Sequence, residues 1–164
     1  MVIRFGVLTV SDRSSRGERP DASGPVLEEL VKSQGWEVVK KGIVPDDMDI
    51  LRKKMISWVD CGELDVILTT GGTGFSPRDV TPEATRAVIE REAPGLAEAM
   101  RAASLQVTPH AMLSRAAAGI RAGTLIINLP GSPKAAKENF QAIQVVLEHA
   151  VQLLHEDPGA EAGH

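Results

Sequence analysis

The sequence predicts an α/β domain built on a largely parallel sheet, and three observations carry that prediction. Residues 2–10 (Val-Ile-Arg-Phe-Gly-Val-Leu-Thr-Val), 64–68 (Leu-Asp-Val-Ile-Leu) and 124–128 (Thr-Leu-Ile-Ile-Asn) are short, almost wholly apolar runs. That is the pattern of strands covered on both faces. Between them lie stretches with helical spacing, and strands that alternate with helices pair in parallel. Each run opens into a polar turn, so these turns gather at the carboxyl edge of the sheet, where such folds bind ligands.

The elements follow in order. After the first strand come Ser11-Asp12-Arg13 and a polar loop to about Gly24. Asp12 and Arg13 read equally well as ligand-facing groups and as residues that cap and solvate the turn. A helix is expected from Pro25 to Gln34, burying Val26, Leu27, Leu30 and Val31 and stopping at Gly35. Trp36 to Val44 is the second strand, closed by Pro45; Asp46 and Asp47 follow, then a helix to about Val59 striped with Ile50, Leu51, Met55 and Trp58. As pattern alone, Asp46 is explained by N-capping. The third strand, 64–68, leads to helices over Pro82–Glu92 and Pro94 to about Gln106. The segment 108–121 has no firm period, and its small residues suggest tight packing. The last strand, Thr124–Asn128, enters a turn through Lys134 and a final helix, about Ala135 to His155, with Phe140, Ile143, Leu147, Ala150 and Leu154 along one stripe. The expected organisation is one domain over 1–156 and a loose tail over 157–164.

Composition narrows the function. A net charge of −4 argues against binding nucleic acid through a general basic field. With aromatics at 3% and no Tyr, a surface that stacks successive bases is not expected either. No apolar run approaches the roughly 20 residues of a membrane span. The first residues lack a signal-peptide pattern, so the expected location is the cytoplasm. Cys61 is the only cysteine, which excludes an internal disulfide and argues against a thiolate zinc site.

The chemistry concentrates in Thr69 to Glu83, Thr-Thr-Gly-Gly-Thr-Gly-Phe-Ser-Pro-Arg-Asp-Val-Thr-Pro-Glu. Glycines let backbone N–H groups approach an anion, hydroxyls stand beside them, and a helix signalled by Thr81 as N-cap and Pro82 at the first position follows. This is not a Walker loop, since Gly-x-x-x-x-Gly-Lys-Ser/Thr is missing. It is not a dinucleotide fingerprint either, because Pro77 stands where the third glycine belongs. Metal-dependent nucleotidyl or phosphoryl transfer fits better, with Arg78 and Lys134 as possible charge clamps and Asp46 and Asp79 as carboxylates able to share Mg²⁺. The histidines and serines show no ligand spacing or triad context.

The run Thr70 to Thr85 closely resembles the signature of the molybdopterin-binding MogA/MoaB family, which includes the G domains of gephyrin and of the plant molybdenum-cofactor protein. Thr9–Arg13, Val44–Asp47, Met112–Arg121 and Ile126–Pro133 resemble its other motifs, so the likeness covers nearly the whole chain. The resemblance implies a three-layer, Rossmann-like domain with a mostly parallel sheet, forming a homotrimer. It implies adenylylation of molybdopterin with Mg²⁺ and ATP, release of pyrophosphate, and delivery of the product to a molybdenum insertase. Asp46 and Asp79 match the family's catalytic, metal-binding acids. Ser11, Asp12, Gly71, Gly72, Thr73, Gly74, Ser76, Asn128, Pro130, Gly131, Ser132 and Lys134 match its ligand-binding positions. Neither a membrane nor a nucleic-acid partner is implied. A non-catalytic molybdopterin-binding scaffold of the MoaB type is the alternative.

Overall fold

The computed structural model of the chain describes residues 1–163. Six strands form one sheet: β1 (Arg4–Val10), β2 (Glu37–Val44), β3 (Val66–Thr70), β4 (Arg91–Glu92), β5 (Ala118–Arg121) and β6 (Thr124–Leu129). Their order is β2-β1-β3-β6-β5-β4. The first four in that order are parallel, while β5 and β4 add an antiparallel margin. The parallel strands therefore end together, at Val10, Val44, Thr70 and Leu129.

Strand alternation divides the core in two. Phe5 and Val7, Val66 and Leu68, and Leu125 and Ile127 point into the face covered by α2 (Ser23–Ser33), α5 (Pro94–Leu105) and α6 (Pro133–Leu154). There Phe5 stacks on Trp36 at 5.5 Å and meets Phe140 edge-on at 6.5 Å. Leu8, Ile67 and Ile126 point to the opposite face, under α3 (Met48–Asp60) and α4 (Thr81–Val88). The result is three layers, as expected. β2 is an edge strand, which explains why its apolar Val39 and Ile43 remain exposed.

Several local expectations are corrected. The helix expected through Glu92 ends at Val88, because Arg91 and Glu92 pair with Ile120 and Gly119 instead. A two-residue strand carries no periodicity, so the pattern does not show it. The segment without a firm period contains its partner, β5, and a 3-10 turn over Pro109–Leu113. The loop after β1 contains a four-residue helix, α1 (Asp12–Ser15), capped by Ser11, whose Oγ accepts from Ser14 N at 3.2 Å. The third strand starts two residues late, at Val66. Asp65 just before it is buried, accepting from Arg4 N at 2.8 Å and from the Arg4 guanidinium, with His155 Nε2 at 3.3 Å. Burial pushes that carboxyl up, but the Arg4 hydrogen bonds and charge hold it below the ordinary range.

Within 157–164, Ala160–Gly163 forms a 3-10 turn with Ala160 buried, and His164 lies outside the described residues. No helix among the described residues is long and apolar enough to cross a membrane.

Candidate functional site

At the shared carboxyl edge of β1, β2, β3 and β6 lies a cavity of about 570 Å³, walled by Thr9, Ser11, Asp46, Thr70, Gly71, Gly72, Asp79, Gly131 and Ser132 and closed by Arg19 to Ser23. Its floor is the glycine loop, and two glycines there are obligatory. Gly71 has φ +106°, and a side chain would place Cβ 2.3 Å from Val10 O. Gly72 has φ +68°, with Cβ 2.4 Å from Thr81 Oγ1 and 3.0 Å from Asp46 Oδ1. Both reasons exclude other residues. Gly71→Ala is accordingly expected to lower stability by about 3 kcal/mol or more, read as a shift of the denaturation midpoint at constant slope.

Thr81 does not cap its helix, contrary to the sequence pattern. Its hydroxyl, fully buried, donates to Gly71 O at 2.9 Å, and Thr81 N donates to Gly72 O at 3.1 Å. The loop is thus pinned to the helix that follows it. Nor are all the loop amides bare. Gly71 N donates to Leu129 O, while Gly74 N and Ser76 N both donate to Asp79 Oδ2 at 3.1 Å. Among the described residues the N–H groups of Gly72 and Thr73 carry no hydrogen bond.

Asp46 also departs from the pattern. The cap of α3 is Asp47, whose Oδ1 accepts from Ile50 N at 3.0 Å. Asp46 is thereby released, and it trades backbone bonds with Asp12: Asp12 N donates to Asp46 Oδ2 and Asp46 N donates to Asp12 Oδ1, each at 3.0 Å. Arg78 completes the group, donating from Nε and Nη2 to the two Asp12 oxygens at 3.0 Å. Burial pushes the Asp46 carboxyl above the ordinary aspartate range, and the charges of Asp12 and Asp79 add to that, against the Asp12 N–H bond. The bidentate Arg78 holds Asp12 below its ordinary range. So Arg78 favours the charged form of Asp12, while burial disfavours the charged form of Asp46.

Not every candidate reaches the cavity. Ser11, Asp46, Gly71, Gly72, Asp79, Gly131 and Ser132 line it. Asp12 is not among its walls and meets Asp46 only through their paired backbone bonds. Thr73 is buried and Ser76 is exposed at the loop tip. Gly74 and Pro130 line a second, smaller cavity of about 250 Å³ with Arg101, Ser114 and Asn139. Asn128 is fully buried: Nδ2 donates to Thr69 Oγ1 at 3.0 Å and to Thr85 Oγ1 at 2.8 Å, and Oδ1 accepts from Ala117 N at 3.1 Å. It ties β6 to β3 and α4 and is a wall of neither of these cavities. Lys134 is exposed beside Glu138 at 3.9 Å, and Arg78 is engaged by Asp12, so neither of these two cations is a wall of the main cavity.

The structure also adds residues. Thr9, one residue before the end of β1, and Thr70, the last residue of β3, line the cavity, and the rule that polar strand ends bind ligands could have found them. Asp21 comes back over β1 from a loop with no local signal. Its Oδ2 accepts from Thr9 Oγ1 at 2.8 Å and its Oδ1 from Gly24 N at 3.1 Å.

Fold and site together define an α/β protein with a carboxylate-fronted glycine loop at the carboxyl edge of its sheet. The family model described as "Probable molybdopterin binding domain" matches residues 6–149, and the chain belongs to that family. The molybdenum cofactor synthesis protein cinnamon of Drosophila melanogaster is 50% identical over 94% of this chain, which spans only 26% of that protein. The molybdopterin adenylyltransferase of Helicobacter pylori strain J99 is 42% identical over 93% of this chain and 88% of its own length. Among solved structures, the molybdopterin biosynthesis enzyme MoaB of Thermus thermophilus superposes with a TM-score of 0.90 at 49% identity, covering 96% of this chain and 99% of that one.

Proposed function

We propose that this protein acts in molybdenum cofactor biosynthesis as a molybdopterin adenylyltransferase, moving the AMP unit of ATP onto molybdopterin with release of pyrophosphate. The observation that carries the reading is the placement of Asp46 and Asp79 on one cavity wall above the glycine loop. A molybdopterin-binding scaffold needs the cavity, but it has no use for two carboxylates in its lining, one of them held above its ordinary pKa range. The name borne by the Helicobacter relative points the same way.

The donor set fits Mg²⁺. Among the described residues no group of three or more His, Cys, Asp or Glu side chains could hold a metal, so an all-protein cage is absent. Mg²⁺ instead takes one or two carboxylates and completes its shell with water and substrate phosphates. Asp46 and Asp79 would hold it, and when bound it would supply neutralisation of the charge that spreads over the transferring phosphoryl group. The chain's own residues do the rest. Gly72 N–H binds a phosphate oxygen, Arg19 adds positive charge at the rim, and Ser11 and Ser132, whose Oγ atoms accept from Ser14 N and Ala135 N, keep hydroxyl protons to donate to the nucleotide. No side chain need be a nucleophile, because positioning and electrostatics supply most of the rate in this class of reaction.

The test is stoichiometric. With molybdopterin, ATP and Mg²⁺ the protein is expected to release one pyrophosphate per pterin consumed, and none when the pterin is omitted. Retained pterin binding without pyrophosphate release would favour the scaffold. A homotrimer, a cytoplasmic location and an insertase as downstream partner belong to the same proposal.

A further inference from the structure

One arginine outside the cavity is more heavily committed to the glycine loop than any residue within it. Arg115 lies in the extended segment between the 3-10 turn and β5. Its backbone N donates to Thr73 O at 2.8 Å. Its Nε donates to Gly74 O at 2.7 Å, Nη2 donates to Asp79 O at 2.9 Å, and Nη1 pairs with Glu83 in the first turn of α4. One guanidinium thus grips both ends of the 74–79 turn from behind, while the Asp79 carboxylate closes the same turn from inside through Gly74 N and Ser76 N.

Arg115 is itself held. Arg101, on α5, donates from Nη1 to Ser114 O at 3.3 Å and to Ala116 O at 3.0 Å, the carbonyls on either side of it. Two arginines in series therefore connect a helix of the opposite layer to the loop. With Gly74 O, Asp79 O and Glu83 as partners, the half-buried guanidinium has its donors committed to protein and is not a wall of the main cavity. A planar fork can reach three acceptors at fixed angles; an ammonium cannot.

We propose that Arg115 is a positioning residue: it fixes the turn that carries Asp79, and through it the reactive separation of Asp79 from Asp46, without touching ligand. The kinetic part of this rests on the adenylyl-transfer reading; the structural part does not. Misplacing a reacting group by about 1 Å costs on the order of a hundredfold in rate. A group that merely binds substrate would show its loss in KM instead.

The experiment compares the wild-type protein with Arg115→Ala, Arg115→Lys and Arg101→Ala. Amide hydrogen exchange is read at Gly74, Ser76 and the β3 strand, and kcat and KM for ATP are measured alongside. In Arg115→Ala, exchange at Gly74 and Ser76 is expected to accelerate about tenfold or more while β3 amides keep their protection. The same variant is expected to lose on the order of a hundredfold in kcat with KM for ATP changed by less than about threefold. Arg115→Lys should recover little, and Arg101→Ala should reproduce a weaker form of both effects. Unchanged exchange at Gly74 and Ser76 overturns the proposal. So does a rise in KM at constant kcat, which would make Arg115 a ligand-binding cation, and so does loss of protection throughout the sheet, which would make it only a folding residue. If the wild-type protein transfers no adenylyl group, the functional reading fails on its own and the exchange data still decide the role of Arg115.

Discussion

Replacing Asp79 by Asn is expected to cut turnover by at least about a hundredfold while leaving molybdopterin affinity within about threefold of wild type. The substitution separates two jobs done by one side chain. Asp79 Oδ2 accepts from Gly74 N and Ser76 N, and an Asn carbonyl oxygen accepts the same two bonds, so the turn keeps its shape. What Asn cannot supply is the charge. Among the described residues no hydrogen bond reaches Asp79 Oδ1, which leaves that oxygen available to a cation. Binding titrations and single-turnover rates on the same preparation check the prediction. A collapse of pterin affinity would instead make Asp79 a substrate-binding residue.

Asp46→Asn is expected to be equally damaging to turnover, about a hundredfold, while leaving stability at neutral pH unchanged or higher. Asp46 is an acid whose native pKa is raised, first by burial and then by Asp12 and Asp79. The native state therefore binds the Asp46 proton more readily than the unfolded chain does. The Asp46 contribution is most favourable below the unfolded pKa and is lost as pH rises through the raised native value. Once ionised, the side chain is a net cost to the fold. Asn removes the charge and still accepts from Asp12 N through its carbonyl oxygen, so the variant should unfold at equal or higher denaturant concentration than wild type at pH 7. The difference should shrink as pH falls toward the ordinary aspartate range. Lower stability at pH 7 would mean that Asp46 is a structural anion satisfied in place. Loss of function with gain of stability is the signature of a site strained for its task.

Much of this arrangement is legible in the sequence, and what is not has identifiable causes. The parallel strands announce themselves because burial on both faces forces continuous apolar runs, as in Val66 to Leu68 and Leu125 to Ile127. The carboxyl-edge turns follow from topology alone, and with them Ser11, Gly71, Gly72, Asp79, Gly131 and Ser132. Adjacent residues of like type defeat the pattern: Asp46 and Asp47 are equally good caps on paper, and only the backbone at Asp47, φ −130° and ψ 122°, decides which one the helix uses. Thr81 misleads for a similar reason, since a hydroxyl before Pro looks like a cap whether or not a carbonyl such as Gly71 O lies nearer. Asn128 sits in a strand-end motif that suggests ligand, yet three buried partners claim it. Asp21's bond to Thr9 and Arg115's grip on Gly74, Asp79 and Glu83 have no local signal because they span 12 and 32 to 41 residues, although Asp21 also makes a local bond to Gly24 N. Spacing rules do not reach that far.

The central claim is that paired aspartates above the glycine loop transfer an adenylyl group, and mass analysis of the pterin recovered from a single turnover with ATP and Mg²⁺ tests it most directly. The account predicts adenylylated molybdopterin from the wild-type protein and unmodified, still-bound molybdopterin from Asp79→Asn and from Asp46→Asn. Unmodified molybdopterin from all three proteins, bound equally well, would contradict it.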